Sequence, residues 1–222
     1  MRFKIEEVLR EKRKTVSIRV TDSGAVVLKV PCFFSRDDVE KILESHRKWI
    51  DKTVKRVLEQ RNFRKSFVGG ELFFFFGEEY PLVISDSVGK RIVLENGKLF
   101  LGSEFLSIGR ELFVDFYKTE LRKVISDKIS FYSEIYNFKV NGFKITRAEK
   151  RWGSCSFKNS LSFSFRLGMA PLSVVEYVVV HELAHTLVKN HSKEFWRVVE
   201  KVLPDYIIRR RWLRDYGYRL II

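Results

Sequence analysis

The chain has 222 residues, 45% of them hydrophobic and 14% aromatic, and a formal net charge of +14. That length carries a real core in one large domain or two closely packed lobes, and the composition excludes a disordered chain. Two cysteines, Cys32 and Cys155, exclude a disulfide framework, and no apolar run is long enough to span a membrane.

The N-terminal MRFKIEEVLREKRK lacks the apolar segment of a signal peptide, so a cytoplasmic protein with no membrane partner is expected. The positive charge leans toward the C-terminal part. Such a balance attracts nucleic acid, nucleotides or acidic substrates, and a merely solvated surface accounts for it equally well.

Residues 14–20 and 25–30 alternate on either side of Thr21-Asp22-Ser23-Gly24, which reads as a β-hairpin. Ser35, with Asp38 three residues on, opens a helix whose apolar stripe runs through Val39, Ile42, Leu43, His46, Ile50, Val54, Val57 and Leu58. On that stripe His46 is expected to be packed or half-buried, not a ligand. Short strands are expected over 71–76, 80–85, 91–95 and 98–101, with turns at Gly77, Gly89 and Asn96-Gly97. A long core-covering helix follows at about 105–136, carried by Leu112, Phe113, Phe116, Leu121, Val124, Ile125 and Tyr132. Strands at about 138–150 and 160–167 come next, the second presenting Ser162, Ser164 and Arg166 on one face and Leu161, Phe163, Phe165 and Leu167 on the other.

The chemistry lies in His181-Glu182-Leu183-Ala184-His185, an HExxH motif. Residues four apart share a helix face, so both imidazoles can address one ion, and neutral imidazole suits zinc. Glu182 is rotated off that line and can reach a metal-activated water without being a ligand. The valine-rich segment before the motif argues for a strand, but Pro171 and an S-x-x-E pattern at Ser173 and Glu176 argue for a helix over 173–188. A catalytic site needs a third protein ligand, and His191 follows His185 by six residues. Where this spacing usually has a helix-breaking glycine the chain has Val188, so Asn190 is the expected left-handed break, with Ser192 capping a further helix faced by Phe195, Val198, Val199 and Val202. A structural zinc with Cys155 as fourth ligand would leave Glu182 without a task, and no histidine is set beside Cys155 to make it a nucleophile.

RWGSCS at 151–156, HELAH, Asn190-His191-Ser192 and Phe195-Trp196 together resemble the YgjP-like metallopeptidase family, and the likeness extends over nearly the whole chain, including HRKWI at 46–50 and Pro204-Asp205-Tyr206. HELAH with the later HSKEF is similar, more loosely, to the WLM and SprT-like proteases that act on proteins attached to DNA. The resemblance implies an α+β fold with an N-terminal β-rich lobe over 1–105 and a zincin-like half over 106–222, its HExxH helix packed on a small sheet, the two forming one compact unit overall. It implies one Zn2+ per chain on His181, His185 and His191, with Glu182 as the catalytic glutamate. One departure is Ser164, where the family usually has Asn in the strand before the helix.

Zinc-assisted hydrolysis of a peptide is therefore the leading expectation, with Arg147, Arg151 and Tyr177 as candidate contacts to substrate or oxyanion. Arg151 could equally pin strand to helix. Strand 160–167 would be the edge that pairs with an extended substrate, or an ordinary paired strand. The family has also been linked to UTP pyrophosphatase activity, and Lys144, Arg147, Lys150, Arg151 and Lys158 could bind a triphosphate. Arg209, Arg210, Arg211 and Arg214 raise a third reading, a protease acting on nucleic-acid-bound proteins, against a solvated helix face.

Overall fold

The computed structural model describes residues 3–222, which divide into two compact units, Met1–Arg64 and Lys65–Ile222. In the first unit three strands, β1 (Ile5–Glu11), β2 (Ser17–Val20) and β3 (Val26–Pro31), form a sheet in the order β1-β3-β2. The β2–β3 hairpin is the expected one, closed by the Thr21 side chain, which accepts the Ala25 N–H at 3.2 Å. Strand β1, parallel to β3, was not expected, because three glutamates and an arginine dilute the apolar alternation of IEEVLRE.

Two helices, α1 (Arg36–Ser45) and α2 (Arg47–Arg61), replace the single helix expected after Ser35. The Ser35–Asp38 capping box forms at the start of α1. The break falls at His46 (φ −103°, ψ 5°), which is exposed, with Nδ1 2.9 Å from both the Ser45 hydroxyl and the Ile42 carbonyl. The expected packed histidine is thus a helix terminus. Val39, Leu43 and Ile50 still bury their stripe against Val26, Leu28 and Val30.

The second unit opens with β4 (Leu72–Phe75), β5 (Glu78–Ser85), β6 (Ile92–Glu95) and β7 (Lys98–Gly102), in the order β4-β5-β7-β6. Gly77 turns β4 into β5 at φ +93°, and a Cβ there would lie 2.9 Å from the Pro171 Cα, so both backbone and space require glycine. A 3-10 turn, Ser103–Ile108, precedes α3 (Gly109–Tyr136), which ends on left-handed Asn137. The four-stranded sheet and α3 share one core: Phe73 stacks on Phe113 at 4.2 Å, and the Tyr117 hydroxyl donates to the Phe74 carbonyl at 2.7 Å. The lobe boundary expected at 105 therefore falls inside this unit. The actual division is at Arg64 and Lys65, because the sheet over 72–102 has its apolar face on α3.

A three-stranded sheet, β8 (Phe143–Thr146), β9 (Gly153–Cys155) and β10 (Leu161–Ser164), has the order β8-β10-β9. β10 is central, parallel to β8 and antiparallel to β9, so 160–167 holds the ordinary paired strand of the two readings, and the edges of the sheet are β8 and β9. Residues 165–169 leave the strand as a 3-10 turn.

The HExxH helix is α4 (Leu172–Ala184), followed by α5 (Lys193–Val202) and α6 (Tyr206–Tyr216). Val174, Val175, Val178, Val179 and Val180 are all buried, so tertiary packing overrides their strand propensity. The Ser173–Glu176 capping box does not form. Pro171 occupies the cap and puts Ser173 inside the first turn, which frees Glu176 to accept hydrogen bonds from Lys128 Nζ (2.6 Å), Arg209 Nη1 (2.5 Å) and the Tyr132 hydroxyl (3.0 Å). No helix among the described residues is long and apolar enough to cross a membrane.

The Glu176 cluster ties α3, α4 and α6 together. Burial raises the Glu176 carboxyl pKa, but hydrogen bonds from Lys128, Arg209 and Tyr132 together outweigh it and hold the group below its usual 4.5. A carboxylate with a lowered folded-state pKa stabilises the fold fully above the unfolded value and loses that contribution as pH falls through the folded one. Glu176→Gln is therefore expected to melt below the wild type at pH 7, with the gap closing as the pH drops below 4.5. Melting curves at pH 7, 5 and 3.5 check this, and a gap that widened on acidification would contradict it.

Candidate metal centre

His181 lies in the last full turn of α4 and His185 caps its end, so the helical repeat places both rings on one side. The helix closes at Ala184, earlier than expected, and the chain turns through Thr186 and Leu187. Asn190 is not left-handed. Its Oδ1 instead accepts the Ser192 N–H at 3.1 Å, and Ser192 Oγ caps α5 through the Phe195 N–H, as the sequence suggested. His191 is fixed between these two local hydrogen bonds.

The result is a convergence of three nitrogens. His191 Nε2 lies 3.1 Å from His181 Nε2 and 3.2 Å from His185 Nε2. His185 Nδ1 lies 3.0 Å from the Val188 carbonyl, which accepts only if that nitrogen carries the proton. The Nε2 of His185 is then a bare lone pair, and one proton on His191 cannot serve both neighbours. A cation resolves this. Ligands about 2.05 Å from a tetrahedral ion stand roughly 3.3 Å apart, close to the spacing found. The three-histidine group can therefore hold a metal ion. Burial, then the charges of His185, His191 and Arg210, pushes His181 down to about 3, which keeps its ring neutral.

Phe195, fully buried, stacks on His185 at 4.4 Å and meets His181 and His191 edge-on at 4.9 Å each. Trp196 lies 5.8 Å from His181 and 5.9 Å from His191 and stacks on Tyr206. Glu182 is 4% exposed, and its Oε2 has no hydrogen-bond partner in the protein. Burial raises its pKa to about 8, with Arg151 pulling the other way. The carboxylate lies against the backbone of β9: a Cβ on Gly153 would come within 2.8 Å of three Glu182 atoms.

A family model for the YgjP-like metallopeptidase domain matches residues 14–216. The chain belongs to the YgjP-like metallopeptidase family. Membership supports a metal-dependent hydrolase, in keeping with the three-histidine group. No curated protein matches the chain. Among solved structures, the metallopeptidase zymogen of Pyrococcus abyssi abylysin is 23% identical with a TM-score of 0.38, covering 42% of this chain and 95% of that one. Wss1 from Saccharomyces cerevisiae is 22% identical with a TM-score of 0.33, covering 44% of this chain and 79% of that one. Both scores describe a partial likeness only.

Within this YgjP-like chain the RWGSCS segment divides its tasks. Trp152 lies under the Arg166 guanidinium at 4.5 Å, and Arg166 donates to the carbonyls of Glu149, Gly217 and Leu220. The structural pin considered for Arg151 is therefore Arg166, and Arg151 is exposed. Ser164, at the departure from the family pattern, donates to the Ala148 carbonyl at 2.6 Å. Burial raises the Cys155 thiol pKa, against the pull of Lys189, which suits neither a nucleophile nor a fourth ligand.

Of the candidate substrate contacts, Tyr177 packs edge-on to His181 at 5.8 Å, with its hydroxyl pushed up to about 12 by burial. Arg151 lies within electrostatic reach of Glu182, while Arg147 pairs with Asp115 of α3. Sequence reasoning named Gly153 only within RWGSCS and Arg210 only within the arginine run, and gave neither a place at the centre. Gly153 stood in plain view inside RWGSCS, but nothing local says which side chain fills its missing Cβ. The arginine run on α6 splits: Arg209 pairs with Glu176 and Asp205, Arg214 with Asp215, and Arg210 lies over Trp196 at 4.5 Å.

Proposed function

We propose that this chain is a zinc-dependent metallopeptidase in which His181, His185 and His191 hold one Zn2+ and Glu182 is the general base. The observation that carries this is the meeting of three Nε2 atoms beside a buried carboxylate with one oxygen unpartnered. Zinc, when bound, lowers the pKa of a water to ~7 and polarises the carbonyl under attack. Glu182 Oε2 takes the proton from the attacking water and returns it to the leaving amine. Val188 fixes the His185 tautomer through its carbonyl, and Phe195 fixes the ring planes. Strand β9, at the edge of its sheet and against Glu182, offers backbone groups on which an extended peptide can lie across the centre. Tyr177, packed edge-on to His181, is the candidate to face the developing oxyanion.

The test is metal analysis joined to a substrate panel of peptides and nucleotides. Purified protein is expected to carry about one zinc per chain and to cleave peptides. Glu182→Gln is expected to keep the metal and to lose at least ~100-fold in kcat. A Glu182→Gln enzyme that cleaved peptides at the wild-type rate would overturn the mechanism, and release of pyrophosphate from UTP with no peptide cleaved would overturn the substrate class.

A further inference from the structure

We infer that this centre selects peptides with acidic side chains beside the scissile bond, and that Arg151 and Arg210 read them. The inference deepens the metallopeptidase reading and rests on it for the reaction, though not for the binding.

The two arginines reach the centre from different elements. Arg151 leads into β9, two residues before Gly153, whose backbone touches the Glu182 carboxylate. Arg210 comes from α6 and lies 4.5 Å over Trp196, the ring set 5.8 Å from His181 and 5.9 Å from His191. Both are exposed, and among the described residues neither forms an ion pair. Arg147 is paired with Asp115, Arg209 with Glu176 and Asp205, and Arg214 with Asp215. What sets Arg151 and Arg210 apart from the other exposed cations is their place, one beside Gly153 and the other on Trp196, which leaves them for something outside the fold.

A third cation, Lys189, follows His185 by four residues and is held by the Ser156 carbonyl and Asn159 Oδ1. A substrate entering this field gains by carrying negative charge.

A peptide fits this arrangement better than a nucleotide. A triphosphate needs donors converging on one short stretch of oxygens, typically with backbone N–H groups of a glycine-rich loop. Here one cation comes in beside the edge strand and Glu182, the other beside Trp196. An extended chain on an edge strand presents successive side chains to opposite sides, which suits separated cations. The aromatic face of Trp196 also holds the Arg210 guanidinium in place without neutralising it.

The experiment uses the zinc-loaded full chain and three quenched-fluorescence peptides, identical except for Asp/Glu, Ala or Lys residues flanking the cleavage point. The wild type is expected to favour the acidic peptide over the neutral one by roughly five- to tenfold in kcat/KM, mainly through KM, and to lose that preference as salt rises. Arg151→Ala and Arg210→Ala should each shrink the acidic-to-neutral ratio, and Arg210→Glu should tip it toward the basic peptide. Equal kcat/KM for the three peptides, or variants that lower all three by one common factor, would overturn the inference. Binding of the same peptides to Glu182→Gln, read by anisotropy, separates the two readings. Acidic-selective binding without wild-type cleavage would sink the peptidase and keep the charge selection. Cleavage without selective binding would do the reverse. A single-stranded oligonucleotide that displaced the acidic peptide at lower concentration than the peptide itself would assign the arginines to nucleic acid and end the proposal.

Discussion

Gly153→Ala is expected to keep the metal and the fold while losing roughly 100-fold in kcat. A Cβ at that position would lie 2.5 Å from Glu182 Oε1, 2.7 Å from its Cγ and 2.8 Å from its Cδ, closer than real contacts allow. Something has to move. Gly153 does not have a left-handed backbone, so alanine adds no conformational strain, and β9 is held by its pairing with β10. The Glu182 side chain is the softer partner, and its carboxylate is displaced from the place where it would meet the attacking water. A shift of about 1 Å in a reacting group is worth on the order of 100-fold in rate. The three nearest atoms all belong to Glu182 and none to a histidine, so the histidines are expected to keep their positions.

Two readouts make this decisive. Zinc content should match the wild type, which separates displacement of the base from collapse of the site. In a Glu182→Asp background, whose shorter side chain vacates the crowded space, adding Gly153→Ala should cost far less than it does with Glu182 present. Coupling of that size between touching residues is what a double-mutant cycle measures. Wild-type kcat in Gly153→Ala would show that Glu182 does not need this seat.

The second large effect is expected at Phe195. Its ring is fully buried and touches all three imidazoles, stacked on His185 at 4.4 Å. Truncating a buried Phe to Ala costs ~3–5 kcal/mol through lost burial and the cavity left behind. In a unit of this size that lowers Tm by roughly 6–20 °C. The imidazoles also lose the surface that fixes their planes, so zinc affinity should fall roughly 10- to 100-fold. Phe195→Leu keeps most of the volume and should recover much of the Tm but less of the affinity. Thermal melts with and without a chelator, together with zinc titration, check both parts. A Phe195→Ala protein that melted within about two degrees of the wild type would remove Phe195 from its place in the core.

The centre was legible because its signals are local. His181 and His185 stand one helical turn apart, and Ser192 caps the helix that carries Phe195, whatever the rest of the chain does. The hairpin around residues 21–24 and the Ser35–Asp38 box were legible for the same reason. The readings that changed all depended on a partner distant in sequence. Ser173 and Glu176 have the spacing of a capping box, but Lys128 and Arg209 compete for the glutamate and Pro171 moves the helix start. Asn190 is a residue type suited to the left-handed region, yet it serves as an acceptor for the Ser192 N–H because the helix has already closed at Ala184.

By itself, then, the sequence determined the three-histidine group that can hold a metal, the adjacent glutamate and the helix that carries His181 and Glu182, since side-chain identity and a 3.6-residue repeat suffice for those. Tertiary structure alone decided which strand is the edge, which glycine makes room for Glu182, and which arginines stay unpaired. Each of these is settled by what lies across a sheet or a helix contact: β8 and β9 flanking β10, Glu182 filling the space above Gly153, Glu176 and Asp205 claiming Arg209 and leaving Arg210 on Trp196. Such pairings join residues tens of positions apart, and no periodicity within one segment encodes them.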